Sequence, residues 1–359
     1  MTDAPVPPPG SPGYLPIQQD ETPPPGFRDE VTWIVRPPRP KFQHKWRTHI
    51  LLFGLTLVTT TFPVAVFILV LSPLEWGYAW LNGGPALNPL VGFTWEAMRQ
   101  GLWYSVPVLT ILSAHEFGHY FACRAHNVDA TLPYFIPAPI PLTGTLGAVI
   151  RIREAFPSKR ALFDIGVAGP IAGFVALLPF LVWGMWLSDA GPLPTDGTTT
   201  YFGEPLLWKA LEWLRFGTLP AGSDSFIHPM GFAAWWGMLA TALNLLPFGQ
   251  LDGGHIMYAA LGRRAAWVSA ATLALVVLLN IGSASWAFFA LMLIVMTFLF
   301  GFRHPRIHDE HVPLDPRRRI VAVIAVIIFV LCFTPVPIDT TGGGSGTDTP
   351  AAEAIQVRR

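Results

Sequence analysis

Residues 101–124 read GLWYSVPVLTILSAHEFGHYFACR, and their reading decides the fold. A membrane span needs about 20 predominantly apolar residues. This stretch has the length and, in its first half, the composition, yet it carries His115, Glu116 and His119. An ionisable side chain at the centre of a membrane helix costs on the order of 3 kcal/mol on insertion scales, so such residues mark function.

The rest of the chain sets the class around that stretch. Its 359 residues are 52% hydrophobic and only 13% charged, with Lys+Arg and Asp+Glu balanced at 23 each. Soluble domains carry about 25% charged residues. The expected fold is an all-α polytopic membrane protein of about seven transmembrane helices. Spans are expected near 48–72, 101–124, 161–187, 229–250, 265–281, 285–302 and 319–335, with NIGSAS as a tight turn between the fifth and sixth; six spans is the nearest alternative. A neutral balance gives no reason to expect nucleic acid as a partner. Cys123 and Cys332 fall on different spans and read as small apolar residues rather than a disulfide.

Residues 1–47 are Pro-rich and polar, a composition expected to form a disordered cytoplasmic tail without a cleavable signal peptide. After Val336 the sequence TTGGGSGTDT reads as part of a flexible C-terminal tail, 336–359. Lysine and arginine concentrate in segments 36–47, 124–160, 263–264 and 303–319. The intervening connections hold only Arg99, Lys209 and Arg215, with Arg358 and Arg359 at the end. By the positive-inside rule the N-terminus is expected in the cytoplasm and the C-terminus outside; with no transit-like leader read at the N-terminus, a bacterial plasma membrane is the expected location.

HEFGH places two imidazoles four residues apart, on one face of a helix, where both reach a single ion. Zinc accepts histidine nitrogens, and a catalytic zinc acidifies a water whose proton Glu116 could take. The competing reading is a pair of core histidines bonded to neighbouring helices. Two histidines need a third ligand, and NLLPFGQLDGGHI, residues 244–256, supplies Asp252 at the inner end of the fourth span. Pro247 and Gly249 break regular helix there, and Gly253 and Gly254 permit a sharp turn. Broken backbone at membrane depth is tolerated where it lines a cavity. Asp252 could instead cap a helix, and His255 could replace it as ligand. Asn244 could hold a substrate carbonyl or the developing oxyanion, or make an interhelical hydrogen bond.

Taken together, HEFGH and NLLPFGQLDGG resemble the site-2 protease family of intramembrane zinc metalloproteases, with HExxH on one core helix and N-x-x-P-x(4)-D-G on another. The stretches GTLGAVIRI and DIGVAGPIAGF resemble its ethylene-dependent gravitropism-deficient-like branch. The resemblance implies one zinc ion per chain held by His115, His119 and Asp252, Glu116 as general base and Asn244 as substrate support. It further implies a transmembrane metalloprotease domain over 48–335 with its core at 100–260. Its expected partners are the bilayer and transmembrane protein substrates cleaved near the cytoplasmic side, as in regulated intramembrane proteolysis. The oligomeric state is left open. The alternatives are a membrane zinc transporter, whose ligands would repeat across structural halves, and a non-catalytic membrane homologue. A prenyl-protein-processing peptidase would take a glutamate as third ligand where this chain has LDGG.

Between the two motifs, prolines at 133, 137, 139 and 141 forbid regular helix, while Gly144 and Gly147 permit a turn. A re-entrant or β-hairpin element is expected there, with Gly144 and Gly147 beside an unwound substrate strand. Gly169 and Gly173 form a GxxxG pair that reads as helix packing. RHPRIHDEH, residues 303–311, reads as a charged interfacial loop rather than a second metal site.

Overall fold

The computed structural model describes residues 40–63, 65–66, 94–192, 199–220, 222–282, 286–300, 307, 309, 312–341 and 355–357. Residues 44–359 cluster as one unit, and everything below concerns it. The expected N-terminal tail up to residue 39, part of the first expected span, the last three residues of NIGSAS, and His304, His308 and His311 lie outside the described residues.

The unit is mostly helical. Helix α1 is Trp46–Thr61 and α2 is Trp95–Ala125, followed by strands β1, Tyr134–Pro137, and β2, Thr145–Val149. Helix α3 is Lys159–Trp186, α4 is Leu206–Phe216, α5 is Pro229–Leu245 and α6 is Asp252–Leu261. Helices α7, Ala265–Gly282, α8, Ala287–Phe300, and α9, Pro316–Cys332, complete the set among the described residues. A helix thus lies in each of the seven stretches expected to span, and α4 and α6 are additional. Two helical segments among the described residues, Lys159–Trp186 and Asp252–Asn280, are long and apolar enough to cross a membrane.

The helix that carries HEFGH is 31 residues long, about 46 Å at the standard rise. Its ends are chemically marked. Thr94 accepts a hydrogen bond from the Ala97 N–H, Glu96 sits in the first turn and Arg124 in the last, all favourable to the helix dipole. Helix α3 starts the same way, with Ser158 accepting from the Ala161 N–H. It is the central helix, packing against α2, α5, α6 and α9. Small residues on its surface allow this. A Cβ on Gly184 would lie 2.3 Å from the backbone nitrogen of Gly231 on α5, so the two backbones touch there.

Polar residues near the ends of the bundle lock it. Asp164 on α3 pairs with His126, just after α2, at 2.9 Å, and accepts from Arg318 Nε on α9 at 2.8 Å. Arg318 also pairs with Asp315, the N-cap of its own helix. Hydrogen bonds to charged groups are worth about 1.5–3 kcal/mol each, so this single carboxylate fastens three segments of chain. On the other flank, Thr61 of α1 donates to Ser105 Oγ of α2 at 2.9 Å.

Strands β1 and β2 form an antiparallel hairpin, Tyr134 opposite Val149 and Phe135 opposite Ala148, with an irregularity between Phe135 and Pro137. An isolated two-stranded hairpin is marginal, and α1 supports this one. His49 Nδ1–H donates to the Pro133 carbonyl at 3.0 Å, and Phe53 meets Phe135 edge-on. The hairpin itself was expected; its docking on α1 was not.

The connection from α3 to α5 is more ordered than a simple loop. It contributes β3, Asp189–Pro192, β4, Thr199–Phe202, α4, and β5, Ser223–Ile227. These strands join β6, Ile338–Thr341, and β7, Ile355–Val357, in one sheet of order β3-β5-β7-β4-β6. The tail expected to be flexible beyond Val336 is therefore corrected in its described parts: it supplies two strands. Ile338–Thr341 alternates poorly, but its backbone groups find partners in Thr199–Phe202, and pairing rather than composition decides.

Candidate metal centre

His115 and His119 stand one turn apart on α2, both 7% exposed. Their Nε2 atoms are 3.1 Å apart. Asp252, in the first turn of α6, points its Oδ2 at both, 3.2 Å from each Nε2. The ligand atoms of this trio are mutually within 4.8 Å. Ligands placed about 2.0–2.1 Å from a tetrahedral zinc are about 3.3 Å apart, so the donor set fits such an ion in both chemistry and spacing.

The turn that delivers Asp252 follows from its sequence. Helix α5 ends at Leu245, before Pro247, which cannot continue it. Gly249 then takes φ +50°, and a Cβ on Gly253 would lie 2.1 Å from the Leu245 carbonyl oxygen. Only a glycine allows α6 to restart this close to the end of α5. Asp252 is the first residue of α6, whose N-cap is Leu251, so it does not cap the helix. His255 does not join the trio. Its ring lies edge-on to Phe156.

The neighbours of the trio fix its orientation. His119 Nδ1–H donates to the Ile165 carbonyl of α3 at 2.7 Å. A metal-binding histidine commonly bonds through its other nitrogen in this way, which leaves the Nε2 lone pair available. Gly169 and Gly173 of α3 lie directly on the two rings. A Cβ on Gly169 would sit 2.1 Å from His119 Nε2, and one on Gly173 would sit 3.2 Å from His115 Nδ1. Gly118 admits the same helix from the other side, since its Cβ would sit 2.5 Å from the Ala168 carbonyl oxygen. The GxxxG pair is thus packing, as its spacing suggests, but packing against the imidazoles themselves. Spacing could signal close approach; it could not say to what.

Glu116 is 7% exposed and accepts a hydrogen bond from the Ile150 N–H, just after β2. The hairpin therefore borders the site through its second strand. Asn244, in the last turn of α5, puts Nδ2 3.2 Å from His115 Nε2. Gly147, at φ +100°, has open space where a Cβ would be, whereas Gly144 is pressed onto α1, with its Cβ position 2.2 Å from the Thr59 carbonyl oxygen. Of the residues expected at the site, His115, His119, Asp252 and Asn244 are brought together, and Glu116 sits on the same helix with the hairpin beside it. Sequence reasoning missed the Ile165 carbonyl and the Ile150 N–H. Backbone groups carry no residue signature.

Residues 103–284, half of the chain, match the family model described as "Peptidase family M50". Among curated relatives, "Probable zinc metalloprotease EGY1, chloroplastic" of Arabidopsis thaliana is 36% identical over 163 residues, covering 44% of this chain and 29% of the relative. "Probable zinc metalloprotease EGY2, chloroplastic" of Oryza sativa subsp. indica is 32% identical over 170 residues, 47% of this chain and 31% of the relative. The Arabidopsis thaliana protein of the same name is 28% identical over 252 residues, 69% of this chain and 44% of the relative. The chain thus spans less than half the length of these relatives. The stretch matched by the family model contains the trio and the residues around it, and the chain belongs to peptidase family M50, the site-2 proteases, on the branch that includes the EGY proteins.

Proposed function

We propose that this chain is an intramembrane zinc metalloendopeptidase that cuts transmembrane segments of other membrane proteins near the cytoplasmic side. The observation that carries the reading is the convergence of His115, His119 and Asp252 with Glu116 on the same helix. Zinc held by the trio supplies Lewis acidity for a carbonyl and for water. Glu116, oriented by the Ile150 N–H, takes a proton from the attacking water and passes it to the leaving amine. The Asn244 amide donates to the substrate carbonyl as negative charge develops on it. A helical substrate has its carbonyls occupied and must unwind first. We place the unwound strand along β2, where the open side of Gly147 leaves room.

The membrane arrangement belongs to the same proposal: about seven spans, a re-entrant hairpin, and the N-terminus in the cytoplasm by the distribution of lysine and arginine. The sequence-based expectation for the compartment is a bacterial plasma membrane; the relatives named above are chloroplastic by name.

Two expected results test the centre. Stripping the purified protein with a chelator should abolish cleavage of a single-span substrate in detergent, and zinc should restore it where magnesium does not. Cleavage that survives complete metal removal would overturn the reading. Gly169→Ala inserts a methyl group against His119, so zinc affinity should drop about 10–100-fold, as when ligand orientation is lost. A competition titration with a zinc chelator reads this directly, and unchanged affinity would show that α3 can yield at that point.

A further inference from the structure

Two imidazoles outside the metal trio have no part in the chemistry above. His44 immediately precedes the N-cap of α1, and His49 lies in the first turn of that helix, 6% exposed. Each uses one ring nitrogen. His44 Nε2 lies 3.0 Å from the Tyr120 hydroxyl of α2, and His49 Nδ1–H donates to the Pro133 carbonyl at 3.0 Å. The other nitrogens, His44 Nδ1 and His49 Nε2, are buried without a hydrogen-bond partner among the described residues. Burying an unpaired polar atom is unfavourable, so side chains kept here only to fill space would better be apolar.

The two nitrogens in use close a ring of contacts that passes through Glu116. Tyr120 follows Glu116 by one helical turn and shares its face of α2. From Tyr120 the path runs through His44 to His49, whose rings meet edge-on with centroids 6.4 Å apart. It continues to Pro133, at the foot of β1. Tyr134, the next residue, packs its ring on His49 at 4.3 Å between centroids and stands opposite Val149 of β2. One residue further, the Ile150 N–H returns to Glu116.

Within the hairpin this path is stiff. The Thr131 N–H donates to the Arg151 carbonyl at 3.0 Å, and the Arg151 N–H donates to Thr131 Oγ1 at 2.9 Å. Ile150 lies between Val149 and Arg151, both held against the first arm of the hairpin, so its place follows from where Thr131 and Tyr134 lie. Helix α1 also touches the hairpin through Phe53 on Phe135 and the Thr59 backbone on Gly144. Apolar contact is non-directional, whereas the bond from His49 fixes a distance and an angle.

We propose that His44 and His49 are positioning residues for Glu116: together they set the gap between the hairpin and α2 at which the Ile150 N–H meets the Glu116 carboxylate. A displacement of about 1 Å in a reacting group can cost 10²-fold in rate. The inference rests on the role given to Glu116 above.

The test exploits which nitrogen each imidazole uses. The amide nitrogen of asparagine falls near Nδ1 of histidine, and that of glutamine near Nε2. His49→Asn and His44→Gln therefore keep the contacts, while His49→Leu and His44→Leu fill the space and remove them. In the full chain purified in detergent, hydrogen–deuterium exchange at the Ile150 amide should be at least about tenfold faster than wild type in both leucine variants. It should stay near wild type in His49→Asn and His44→Gln. Cleavage of a single-span substrate at saturation should follow the same order, with kcat down about 10–100-fold in the leucine variants. Elution volume and zinc content matching wild type show that each variant is folded. A role in packing alone predicts the opposite ranking, because leucine suits an apolar site better than an amide does. Wild-type exchange in the leucine variants, or amide variants that do no better than leucine, would overturn the proposal. If wild type itself fails to cleave, the protease reading falls, and the exchange ranking still decides whether the imidazoles set the hairpin.

Discussion

Glu116→Gln should retain zinc at the wild-type level and lose cleavage by about 10²–10⁴-fold, the range for removing a positioned general acid–base. The substitution is informative because of what it keeps. Glutamine has the same size, and its side-chain oxygen can still accept from the Ile150 N–H that Glu116 now engages. The neighbouring histidines and Asp252 are untouched. Only the capacity to take and return a proton is gone. Zinc measured by plasma mass spectrometry and cleavage of a single-span substrate on a gel give the two readings on one preparation. Equal cleavage by the two proteins would sink the proton-transfer role. Loss of both zinc and cleavage would show Glu116 to be part of the ligand set instead.

Asp252→Ala should have the other large effect, on the metal itself. Asp252 contributes the only anionic group of the trio, and its Oδ2 touches both imidazoles at 3.2 Å. Removing it leaves two neutral ligands for a divalent cation. Perturbing an outer partner of a zinc ligand already costs about 10–100-fold in affinity, so losing the ligand should cost at least ~100-fold. Zinc occupancy after dialysis should collapse, and His255→Ala, whose ring packs on Phe156, should leave occupancy unchanged. The reverse pattern would reassign the third ligand to His255.

Both motifs of the proposed metal centre could be picked out in the sequence because their chemistry is local. His115 and His119 share a helix face by spacing alone, and Pro247, Gly249 and Gly253 announce a break in regular structure just where an acid follows. What brings the motifs together was less legible. Gly169 and Gly173 signal close packing, but not that the packing partner is an imidazole. The Ile165 carbonyl that orients His119 could belong to any residue type. The short strands between α3 and α5 escaped for a related reason. Ser223–Ile227 is five residues long and takes one of its partners from Ile355–Val357, so its pairing depends on chain far away in sequence. A Gly-rich tail is read as a linker until a strand is found beside it.

The bond from His119 to Ile165 has a neighbour with its own commitment. Asp164, the preceding residue, is held by Arg318 of α9. A helix that slipped by one residue would move about 1.5 Å along its axis, enough to break both bonds. The height at which α3 stands beside the imidazoles is thus pinned by α9, which follows every proposed ligand in the sequence. During synthesis the imidazoles and the acid are made before the arginine that sets this height, so α3 takes its final register against them only after α9 has joined the bundle.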